Sequence, residues 1–75
     1  MKFRSKKKFI VYYEEYSAFS IYADQIEVEP KFVKFFYKGS EVGSILQIFF
    51  HHIEYFNSIF DTDTIYLSKT ELLRK

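Results

Sequence analysis

The stretch SILQIFFHHIEYFNSIF, residues 44–60, decides the fold. Ile45, Ile48, Phe49, His52, Ile53, Phe56, Ile59 and Phe60 recur at helical spacing, with Gln47, His51, Glu54 and Ser58 on the opposite side. Such a period makes an amphipathic helix with an apolar stripe turned to a core. Ser44-x-x-Gln47 supplies a capping box to start it. A competing reading exists, because Ile, Phe and Tyr favour extended chain. Val42–Ile45 and Ile53–Phe56 then form two short strands. The helix is the reading carried forward.

Upstream, the chain reads as strands. Lys8–Tyr16 is rich in aromatic and β-branched residues, with Phe9, Val11 and Tyr13 on one face and Ile10, Tyr12 and Tyr16 on the other. Phe19, Ile21 and Ala23 alternate with Ser20, Tyr22 and Asp24, the period of a half-buried strand. The phase shifts at Ala23-Asp24-Gln25, since Ile26 and Val28 then alternate with Glu27 and Glu29, and a bulge or turn is expected there. Pro30 ends that strand, having no N–H for a ladder. Phe32–Lys38 is a further strand with Val33, Phe35 and Tyr37 on one face, and Gly39-Ser40 follows with turn chemistry.

Downstream, Asp61-Thr62-Asp63-Thr64 interrupts the pattern and Ile65–Leu67 is a short strand. Ser68-x-x-Glu71 opens a short terminal helix through Leu72, Leu73 and Arg74. The expected fold class is α+β: a small antiparallel β-meander of three to four strands packed against one helix, with a short C-terminal helix. The alternative is a mostly β roll or barrel. Residues 1–7 read as a basic flexible arm, and 8–75 as a single compact domain.

Composition narrows the function. Seventy-five residues make one domain near the size where a core only just suffices. The absence of Cys removes disulfides and thiolate metal sites as supports. Ten Phe and seven Tyr exceed what one small core hides easily. The first eight residues carry five positive charges, leaving six basic and ten acidic side chains elsewhere, a balance of −4. The apolar run Phe9–Tyr13 is too short for a secretory signal, which needs about 7–15 residues. The uncharged stretch between Glu41 and Glu54 is likewise shorter than the roughly 18–20 residues of a spanning helix. A cytoplasmic protein with no membrane segment is expected.

Candidate sites are few. On a helix, His51 and Glu54 share a face beside His52, but zinc needs a third protein ligand and the spacing offers none. The cluster reads as a solvated polar stripe. Asp61-Thr62-Asp63 has two carboxylates, yet an EF-hand loop needs Gly at its sixth and Glu at its twelfth position, where Tyr66 and Leu72 stand. Two glycines, Gly39 and Gly43, are too few for phosphate-loop fingerprints, and no Ser sits in a nucleophile elbow. No catalytic residue, cofactor or metal is expected, and the chain reads as a non-enzyme.

Two surfaces carry binding chemistry. Tyr12, Tyr13, Tyr16, Tyr22 and Tyr37, with Tyr55, are amphipathic rings of the kind that anchor protein interfaces. Lys2, Arg4, Lys6, Lys7 and Lys8, near Phe3 and Phe9, combine cations with rings, as nucleic-acid contacts do. The leading expectation is a small protein-binding module, possible as a homodimer. The Ile/Phe/Tyr/Lys-rich composition suits an AT-rich bacterial or phage genome, hence a phage or mobile-element modulator that occludes a host protein. A nucleic-acid-binding accessory factor using the basic segment is the alternative.

Overall fold

The computed structural model describes residues 1–15, 17–56 and 64–73. Their elements are β1 (Lys2–Tyr13), β2 (Ser17–Val28), β3 (Phe32–Tyr37), β4 (Ser40–Leu46), β5 (Phe50–Phe56), β6 (Thr64–Ser68) and α1 (Lys69–Leu73). The six strands form one antiparallel sheet in the order β4-β3-β2-β1-β5-β6. No described helix is long and apolar enough to cross a membrane.

The expected α+β class is therefore wrong. Within 44–56 there is no helix, and among the described residues no substantial helix packs on the sheet. Residues 57–60, the rest of the expected helix, lie outside the described residues, as does the Asp61-Thr62-Asp63 turn. The apolar run was dense enough to match a helical period by selecting a subset of its rings. Ile53 and Tyr55 in fact face the core while His52 and Glu54 face the other side, which is strand alternation. Only one helical turn survives, where Phe49 N–H donates to Leu46 C=O (3.0 Å) and Phe50 N–H to Gln47 C=O (3.2 Å). Gln47 caps nothing. Its amide donates to the Glu29 carbonyl, its backbone N–H to Lys31 C=O, and its own C=O accepts from Lys69 Nζ at 2.8 Å. It ties the β4–β5 turn to the β2–β3 turn and to α1.

In the N-terminal segment, residues 2–7 are the first part of β1. The Met1 ammonium donates to Ile26 C=O at 2.7 Å, and the Phe3 ring packs 5.2 Å from Phe9. An irregularity does occur at Ala23-Asp24-Gln25, since Lys7 pairs Ala23 and Lys2 pairs Gln25. Most of the extra chain is in β1. Across this shift the buried set of β2 moves from Ala23 to Ile26.

One face of the sheet is covered by the sheet's own curvature. Phe9, Val11, Ala23, Ile26, Val33, Phe35, Phe50, Ile53, Leu67 and Leu72 are buried together. Phe9 sits 5.3 Å from Tyr55 on β5 and 6.2 Å from Phe35 on β3, so its ring joins both wings of the curl. Truncating such a ring costs about 3–5 kcal/mol, a large part of the roughly 5–15 kcal/mol that holds a domain folded. Helix α1 begins with the expected capping pair: Glu71 N–H donates to Ser68 Oγ (3.1 Å), whose hydroxyl donates to Glu71 Oε1 (3.2 Å). The helix places Leu72 in the core beside Met1 and Ile26.

Two backbone positions give direct tests. Lys38 and Gly39, at φ 50° and 83°, form the two-residue turn closed by the Tyr37–Ser40 pair. Lys pays a steric penalty in this left-handed region that Asn largely avoids. Lys38→Asn should raise stability by about 1 kcal/mol in urea titrations. At Gly43, an added Cβ would stand 2.5 Å from the terminal methyl of Ile21, where the curl brings β4 over β2. Gly43→Ala should cost less than about 1 kcal/mol, because that methyl ends a half-buried side chain able to turn aside. Adding Ile21→Val, which removes the methyl, should abolish what cost remains.

Candidate functional site

The second face of the sheet has no covering layer among the described residues. Cross-strand pairing puts Lys8 opposite Tyr22, Ile10 opposite Ser20 and Glu54, Tyr12 opposite Ala18 and His52, and Glu54 opposite Tyr66. These side chains share that outer face. Ala18 and Ser20 are small, so the rings beside them stand above a shallow floor. Tyr22, Phe56 and Tyr66 are 53%, 54% and 50% exposed.

A ring ladder crosses three strands at the centre. His52 of β5 stacks on Tyr12 of β1, centroids 4.3 Å apart and planes within 11°. On its other side Tyr66 of β6 lies 4.5 Å away at 31°. Glu54 fixes the set: its carboxylate is 3.5 Å from His52 Nε2 and hydrogen-bonded to the Tyr12 phenol. That hydrogen bond, then burial, then the carboxylate's charge raise the Tyr12 pKa above 10.0. His51 is the extra residue of a bulge, since Tyr12 pairs His52 and Tyr13 pairs Phe50. The bulge re-aims it so that its Nδ1 meets His52 Nδ1 at 2.8 Å, one ring N–H donating to the other's bare nitrogen.

The sequence-level residues are distributed as follows. Tyr12 is in the ladder. Tyr22 is on the outer face, and Lys6 Nζ lies over both Tyr22 (5.1 Å) and Tyr37 (5.5 Å). Lys38 also lies over Tyr37, and its backbone N–H donates to Asp24 Oδ2 at 3.2 Å. Tyr13 packs on Phe19 at the end of the core side, 5.8 Å away. Tyr55 is a core ring beside Phe3 and Phe9, and burial raises its pKa. Tyr16 lies outside the described residues. Lys2, Arg4, Lys6 and Lys8 are exposed along β1, while Lys7 is half-buried opposite Ala23. His52, Glu54, Phe56 and Tyr66 were not read as binding residues from the sequence. The expected pairing of His51 with Glu54 on a helix face is replaced by His52 with Glu54 on a strand face. Among the described residues, no three His, Cys, Asp or Glu side chains are placed to hold a metal ion.

The arrangement is a rigid aromatic surface with one charge-assisted lock and a basic margin. Compared with known proteins, the chain matches no family model, no curated protein and no solved structure.

The lock has a measurable signature. Glu54→Gln should lower the Tyr12 phenol pKa toward its ordinary value, followed by NMR of the ring through an alkaline titration. The folded phenol's raised pKa means that this interaction stabilises the fold below the unfolded phenol value of about 10. The contribution is lost as pH climbs through the folded value. Glu54→Gln should therefore flatten the stability loss above that pH.

Proposed function

We propose that this chain is a small non-enzymatic binding module that lays its uncovered sheet face on a protein surface. The ladder Tyr12–His52–Tyr66, held by Glu54, carries this reading. Interface anchors are rings with large contact area, a polar tip and little rotamer freedom left to lose. Stacking on both sides of His52 has already removed that freedom. Exposed Tyr22 and Phe56 extend the contact area. Lys6, Lys8 and Glu54 supply charge for steering and register. The setting that composition suits is a surface-occluding modulator of a bacterial host protein, encoded by a phage or mobile element.

A nucleic-acid reading is favoured by one observation: Lys6 lies over Tyr22 and Tyr37, so cation and rings form one patch. Lys8 stands opposite Tyr22 in the same row. A phosphate beside such rings would be neutralised while a base stacks.

The test is affinity capture from a bacterial lysate, with and without nuclease, read by mass spectrometry. Tyr12→Ala with Tyr66→Ala should keep the circular dichroism spectrum and weaken a nuclease-resistant protein partner by about thirtyfold or more, the loss of roughly 2 kcal/mol typical of an anchor. Capture unchanged by both substitutions would remove the ladder from the interface. If capture vanishes with nuclease, and Lys6→Glu with Lys8→Glu abolishes salt-dependent binding to a single-stranded oligonucleotide, the second reading replaces the first.

A further inference from the structure

Strand β4 ends the sheet, and among the described residues it is hydrogen-bonded only to β3. Its backbone directions are fixed from both ends. Gln47 N–H donates to Lys31 C=O, and the two-residue turn closes on Tyr37 and Ser40. Antiparallel ladders alternate, so Gln47, Ile45 and Gly43 turn their amides toward β3. Ser44 and Leu46, between them, turn theirs outward. Val42 is the extra residue of a bulge, because Phe35 pairs Gly43 and Phe36 pairs Glu41.

This edge has little of the protection that edges usually carry. From Ser40 to Leu46 there is no Lys and no Pro, and the one charge, Glu41, lies near the hairpin end. Val42 and Leu46 are exposed. The opposite edge, β6, is short and runs directly into α1.

The sequence of β4 is complementary to itself about Ser44. Turned antiparallel on a second copy with Ser44 opposite Ser44, Ile45 meets Gly43, Leu46 meets Val42 and Gln47 meets Glu41. A large side chain faces a hydrogen, apolar faces apolar, and no like charges meet. Registers centred on Gly43 or Ile45 also keep outward amides paired, but they set Ser44 against Val42 or against Leu46, a hydroxyl against an apolar chain. We propose that β4 pairs with β4 of a second copy across a two-fold axis through Ser44, joining two six-stranded sheets into one. Such an interface is isologous and closes at two chains. It sets the outer faces of both copies side by side, so a partner would meet two ring ladders. The pairing stands independently of what those faces bind.

The chain has no Cys, so a single introduced thiol reports on one contact. Facing residues of a hydrogen-bonded antiparallel pair have Cα atoms about 5.5 Å apart, inside the roughly 4.4–6.8 Å that a disulfide spans. Ser44→Cys should give a covalent dimer under mild oxidation of the folded protein. Glu41→Cys should not, because its two copies would lie about 20 Å apart at ~3.4 Å per residue. The unmodified chain should rise from 9.1 kDa to twice that mass with concentration in light scattering. Leu46→Lys, a change at an exposed position, should hold it monomeric with an unchanged circular dichroism spectrum. Equal cross-linking at positions 41 and 44, or an unmodified chain that stays monomeric at the highest concentration reached, would overturn the proposal.

Discussion

The rest of the structure depends on a sheet that, among the described residues, has no second layer to bury its apolar face against. Of those residues, a five-residue helix covers one corner and no more. The sheet bends over its own apolar side, and Phe9 lies at the middle of that side. Its ring touches Phe3 from its own strand, Tyr55 from one wing and Phe35 from the other. The close approach of Gly43 to Ile21 belongs to the same curl. A curled sheet hides one face only. The aromatic excess of the composition is the consequence: rings are needed to fill a core built from a single layer, and the convex side keeps those that do not fit within it.

The meander was legible wherever a strand has one dry and one wet face. Phe19-Ile21-Ala23, the shift to Ile26 and Val28, the stop at Pro30 and the Val33/Phe35 face all carry a period of two, and the structure follows them. Ser68 and Glu71 were legible because a cap is a local hydrogen bond. Residues 44–56 were not. There the apolar residues occupy both faces, so alternation is erased and a helical period can be drawn through the remainder. The partner that makes β5 a strand is β1, some forty residues earlier in the chain. No local pattern reports such a contact, and tertiary pairing overrides a marginal local preference.

The site was legible as a residue type and illegible as a geometry. Tyrosines in the early strands were read as a sheet face, and Tyr12 and Tyr22 lie on one. Their partners His52, Glu54 and Tyr66 come from the part of the chain misread as a helix and from the strand after it. A helix would have joined His51 to Glu54. A strand with a bulge at His51 joins His52 to Glu54 and brings the two imidazoles together. Bulges add one residue without a signature in composition.

The two bulges have opposite consequences, and together they define what the surface can do. The one at His51 sits inside the sheet, between β1 and β5, where neighbouring strands hold it and the re-aimed ring becomes part of a fixed cluster. The one at Val42 sits near the free edge, on the hairpin side of the stretch from Gly43 to Leu46. It interrupts the regular edge at its hairpin end and leaves a stretch short enough for register to matter. Within it, Ser44 is the outward-facing position about which the side chains complement one another. The face therefore gains its His51–His52 contact from a defect enclosed by the sheet, and the proposed edge pairing is limited by a defect at the sheet's margin. Both follow from bending a single layer far enough to cover its own core.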